Sequence, residues 1–75
     1  MPQYRQGQNV LYKPVGGPES HTSESVGCIM SVLTQPGTQA GRNVDASQSH
    51  PRYEIENQNT GKSTSVYEEN ILGTV

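Results

Sequence analysis

The stretch from Pro51 to Tyr67 limits the fold of this chain more than any other. Tyr53 and Ile55 alternate with Glu54 and Glu56, so an extended backbone there has one apolar face and one charged face. Asn57 to Lys62 supply a polar turn, with Gly61 available for positive φ. Ser63 to Tyr67 is a second extended run of hydroxyl-bearing and β-branched residues. The pattern predicts a β-hairpin. An isolated hairpin is marginal in water, so the rest of the chain has to supply strands that cover its apolar face.

Upstream, Val10 and Tyr12 share one face of a short strand that ends at Pro14, which has no backbone N–H to give a ladder. Residues 15–24 read as a Gly/Pro/Ser loop. From Ser25 to Thr34 runs the longest apolar segment, and neither a period of two nor a helical stripe fits it. Its β-branched content favours a strand with apolar residues on both faces. Such a strand needs a bend or bulge so that it serves two halves of a barrel, and Gly27 is the expected point of close backbone approach. Residues 35–50 read as a second long loop ending at Pro51. Glu68-Glu69-Asn70 fits one turn of 3₁₀ helix, and Ile71-Leu72 a short final strand. The expected fold is all-β: a small, strongly bent, five-stranded SH3-like (Tudor-like) barrel with one short 3₁₀ turn. Residues 1–6 are expected to form a flexible arm and residues 7–75 the single barrel domain.

With 75 residues the chain is one domain at most, and such a domain has a thin margin of stability. Phe and Trp are absent, so four tyrosines are the only large aromatic bodies available to a core or to a binding site. The single cysteine, Cys28, excludes an internal disulfide and is read as a small buried hydrophobe. The polar N-terminus has no apolar run behind it, and no segment has the length of a membrane span, which points to a soluble intracellular protein with no membrane partner. The net charge is −2, and the 5 basic residues are scattered, which argues against nucleic acid as the partner. His21, His50 and Cys28 lack the short spacing of converging ligands, so no metal is expected. No cofactor motif is present either: Gly16-Gly17 is not followed by the Lys-Ser/Thr of a phosphate loop.

The residues Gly7-x-x-Val10-x-Tyr12, Gly27-x-Ile29, Asp45-Ala46-Ser47-x-x-x-Pro51-Arg52-Tyr53-x-Ile55-Glu56-Asn57-x-x-Thr60-Gly61-Lys62 and Tyr67-x-x-x-Ile71-Leu72 together resemble the hypervirulence-associated Tudor domain family. The Pro-Arg-Tyr, Glu-Asn and Thr-Gly-Lys block is the specific part. The resemblance spans most of residues 7–73 and implies a small SH3-like barrel. It also implies a non-catalytic interaction module that binds a peptide segment, cationic or methylated.

In such a module aromatic faces attract a cation, each ring contributing roughly 0.5–2 kcal/mol. The expected ligand-binding set is Tyr12, Tyr53, Tyr67, Glu68, Glu69 and His50. For Tyr12 and Tyr53 the competing role is to fill a core that has no Phe or Trp. Tyr67, at a strand end before two acids, is the best cage candidate. For the acids the competing role is a solvated hairpin face. Two further readings stay open. Ser65-Val66-Tyr67 through Leu72 is also similar to the type II dihydrofolate reductases, SH3-like barrels whose tetramer surrounds one active-site pore. That family carries Gln-Ile-Tyr where this chain has Ser65-Val66-Tyr67, and the missing Gln argues against the activity. The other reading is a self-associating structural protein, a homodimer or higher homo-oligomer formed through an edge strand or an apolar patch around Met30 and Leu33.

Overall fold

The computed structural model describes residues 3–14 and 23–75. The 15–24 loop, with His21, therefore lies largely outside the described residues. Among the described residues seven strands form: β1 (Asn9–Tyr12), β2 (Ser25–Leu33), β3 (Gly37–Gln39), β4 (Arg42–Val44), β5 (Arg52–Asn57), β6 (Ser63–Tyr67) and β7 (Ile71–Thr74). Five of them make one antiparallel sheet in the order β6-β5-β2-β1-β7. The edge strands β6 and β7 are joined by one turn of 3₁₀ helix, Glu68–Asn70. The fold is a small all-β, SH3-like barrel, as the strand pattern predicts.

Every strand of the large sheet contributes to one core: Val10, Tyr12, Ile29, Tyr53, Ile55, Val66 and Ile71. Tyr12 and Tyr53 have relative exposures of 1% and 0% and are the largest fully buried side chains. Aromatic rings bury more apolar area than any aliphatic side chain, so these two take the place of the missing Phe and Trp. The hairpin β5–β6 alternates as its sequence requires. Tyr53 and Ile55 are buried, Glu54 is half-buried and Glu56 is exposed. Its turn is held from Asn57, whose side-chain oxygen accepts the N–H of Asn59 at 2.8 Å and of Thr60 at 3.1 Å. Gly61 follows at φ +72°.

Strand β2 serves two partners. Ser25–Cys28 pairs with β1, and Gly27–Leu33 pairs with β5. Between Ile29 and Ser31 the register with β5 slips by one residue, so Met30 is the extra residue of a bulge. A second bulge in β7 leaves Leu72 without a partner on β1. Bulged residues fall out of the in/out alternation, which explains why, among the described residues, Met30 and Leu72 are the large apolar side chains on the surface besides Val75.

Two expectations need correction. Residues 35–50 are not one continuous loop, because β3 and β4 form a separate two-stranded hairpin there. Cys28 is half-buried rather than buried: it pairs with Asn9 on the outward face, while Gly27 and Ile29 take the inward positions. Of the two residues at the expected apolar patch, Met30 is exposed and Leu33 half-buried beside Gly37.

Candidate functional site

The 3₁₀ turn starts where β6 ends, and it sets Tyr67, Glu68 and Glu69 side by side. Its far end is tied down by Asn70, whose Nδ2 donates to the Lys13 carbonyl at 3.1 Å while Lys13 N–H donates to the Asn70 carbonyl at 2.9 Å. Across a gap from the turn, residues 47–50 close a tight loop. Ser47 and His50 exchange backbone hydrogen bonds of 3.2 Å, and Ser47 Oγ accepts the His50 N–H at 3.1 Å. This loop holds the exposed His50 just ahead of the buried Pro51.

Between these elements lies a cleft of about 310 Å³. His50, Tyr67, Glu68 and Glu69 line it, joined by Gln3, Ser49 and Ile71. Tyr53 lies beneath: its ring is in the core, but its hydroxyl donates to Glu68 Oε2 at 2.5 Å. Tyr12 belongs to the core and does not line the cleft.

The N-terminal segment takes part. Gln3 N–H donates to Glu68 Oε2 at 3.0 Å, and Tyr4 N–H reaches the Tyr53 hydroxyl at 3.4 Å. The Tyr4 ring packs edge-on to Tyr53, with centroids 5.8 Å apart and planes at 76°. Nothing in the composition of residues 1–6 signals this contact, because it joins positions 65 apart in the chain.

Two electrostatic features follow. Burial, and then the Glu68 carboxylate that accepts its proton, hold the Tyr53 phenol well above its usual range. Glu68 thus already receives two hydrogen bonds, whereas Glu69 is exposed and turned to solvent. One face of the Tyr67 ring is also occupied. The Arg52 guanidinium carbon sits 4.3 Å from its centroid, and Ser65 holds that guanidinium through Nε to Oγ at 3.0 Å and Nη2 to the carbonyl at 3.3 Å. Among the residues lining the cleft, Tyr67 is the one aromatic. Chemically the cleft offers acceptors, a free carboxylate, an imidazole and an apolar wall at Ile71. That combination suits a positively charged side chain with an aliphatic stem. Among the described residues no group of three or more His, Cys, Asp and Glu is arranged to hold a metal ion.

The family model described as "Hypervirulence associated proteins TUDOR domain" matches residues 7–71. The chain belongs to that family. It is also 39% identical over 71 residues to a Schizosaccharomyces pombe protein described as "Putative primary metabolism protein prl65", an alignment covering 95% of this chain and 92% of that one. No solved structure matches the chain. Domains of the Tudor type are generally non-catalytic and generally bind proteins or peptides, so membership supports a small interaction module. No helix among the described residues is long and apolar enough to cross a membrane.

Proposed function

We propose that this Tudor-family domain is a non-catalytic protein-interaction module that takes a basic segment of a partner protein in the cleft at the 3₁₀ turn. The observation that carries this reading is convergence. His50, Tyr67, Glu68 and Glu69 come from a loop, a strand end and the 3₁₀ turn, and all of them line one cavity. Glu69 supplies the uncommitted negative charge, Glu68 accepts N–H donors, and Tyr67 and Ile71 cover the aliphatic stem of a lysine or arginine. With one ring face at most open to the ligand, charge rather than an aromatic cage provides the selectivity. Trimethylation of the lysine therefore adds less than about fivefold in affinity, the equivalent of about 1 kcal/mol, the upper end for cation–π attraction to one exposed ring.

Isothermal titration with lysine-containing and arginine-containing peptides, unmodified and trimethylated, tests the reading. The expected result is binding that weakens with added salt and that drops about threefold to fivefold in Glu69→Gln. No heat with any basic peptide, or affinity untouched by Glu69→Gln, would overturn it.

A further inference from the structure

A second hollow, of about 180 Å³, opens where the β3–β4 hairpin meets β6. It shares no lining residue with the acidic cleft, although the two are linked by one stacked pair: Tyr67 lines the cleft and Arg52 the hollow. The polar residues that line the hollow are Arg42, Arg52, Ser63, Thr64 and Ser65, and no acid is among its lining residues within the described part of the chain. In a chain of net charge −2, 2 of the 5 basic residues thus meet in one small space.

The guanidinium of Arg52 is already aimed. Ser65 holds Nε and Nη2, and Tyr67 covers one face, so Nη1 is the nitrogen without a partner among the described residues. Neither Arg42 nor Arg52 has an ion-pair partner among the described residues. The acid on the same face of β5, Glu54, turns Oε1 to the Ala40 N–H at 2.9 Å and stays out of the lining. That bond holds Ala40, at φ +51°, in the wall of the hollow. A fixed guanidinium loses little freedom on binding and presents donors in a planar fork, and such donors form short, charge-assisted bonds to a tetrahedral oxyanion.

We propose that this hollow is an oxyanion site that takes a phosphoryl group between Arg42 and Arg52, with the Ser63 hydroxyl as a further donor. The group is either free phosphate or the phosphate monoester of a phosphoserine side chain. The site stands apart from the acidic cleft, and neither reading requires the other.

Amide chemical-shift titration of the full chain with inorganic phosphate, and separately with a phosphoserine-containing peptide, tests the proposal at ionic strength matched with chloride. The expected result is saturable shifts at Ala40, Arg42 and Ser63 to Ser65. Affinity falls at least fivefold in Arg42→Gln, whose exposed position leaves the spectrum of the core in place. Arg52→Lys keeps the charge but removes the fork, and it also weakens binding. Tighter binding of the peptide identifies the side-chain source, and equal binding the free ion; either supports the site. Shifts that chloride reproduces, that never saturate, or that persist unchanged in Arg42→Gln would overturn it.

Discussion

Tyr53 carries two duties that pull on different atoms. Its ring fills the core, and its hydroxyl leaves the core to reach Glu68 on the floor of the cleft. A buried phenol needs a partner, and a carboxylate is a strong one. Tyr53→Phe keeps the ring and removes the bond, so a loss of about 1–2 kcal/mol in urea unfolding is expected. The sign of the pH dependence follows from the raised phenol. The unfolded phenol releases its proton near its ordinary value of about 10, while the folded one retains it. The unfolded state then binds fewer protons, so stability is full below about pH 10 and falls as pH rises beyond it, by at most about 1.4 kcal/mol per pH unit. Unfolding curves between pH 8 and about 11 check this: the decline should be shallower in Tyr53→Phe, and an equal decline would remove Tyr53 as its cause.

At the scale of the element, the β3–β4 hairpin is tied to the large sheet by one polar side chain. Gln39 is 1% exposed, and its amide is fully used. Nε2 donates to Ser31 Oγ and to the Arg52 carbonyl, both at 3.2 Å, and Oε1 accepts from Ser65 Oγ at 2.7 Å. One side chain thereby ties the hairpin to β2, β5 and β6. The turn itself is less favourable. Ala40 at φ +51° and Gly41 at φ +74° are the two central residues of a two-residue turn of the primed kind. The left-handed region costs an alanine roughly 1–2 kcal/mol and suits asparagine better. Ala40→Asn keeps the N–H that Glu54 accepts and is expected to stabilise the protein by about 1 kcal/mol, raising Tm by about 4–8 °C. A thermal melt that moves down instead would show that the methyl group at position 40 makes a contact worth more than the backbone strain.

For the whole molecule, barrel closure depends on one missing side chain. Gly27 lies where β1 and β5 both meet β2. A Cβ there would stand 2.5 Å from Ile55 Cγ2, 2.6 Å from the Glu56 carbonyl oxygen and 3.0 Å from Tyr12 Cε1. Rotamer changes relieve the side-chain clash but not the clash with the backbone carbonyl. Gly27→Ala is therefore expected to cost about 3 kcal/mol or more. A domain of this size has few kcal/mol to lose, so a Tm lower by more than about 10 °C, or no cooperative melt, is expected. A melt within a few degrees of the parent would mean that the sheet is looser at this point than the packing indicates.

Local pattern was enough to determine the strands that build the core. Alternation in 53–56, the Asn57–Gly61 turn, the apolar run that needs a bulge and the scarcity of aromatic residues all act between near neighbours or through composition, and all can be read along the chain. Family resemblance was legible from the same blocks. The tertiary structure alone decided the rest. The β3–β4 hairpin has no apolar alternation and exists because Gln39 finds partners on three distant strands. Gln3 enters the cleft because Glu68 accepts its N–H across 65 positions. Tyr67 has one covered face because Arg52 on the neighbouring strand stacks there. In each case a polar group meets a partner that is remote in sequence, and hydrogen bonds and stacking, unlike hydrophobic periodicity, leave no mark at fixed spacing.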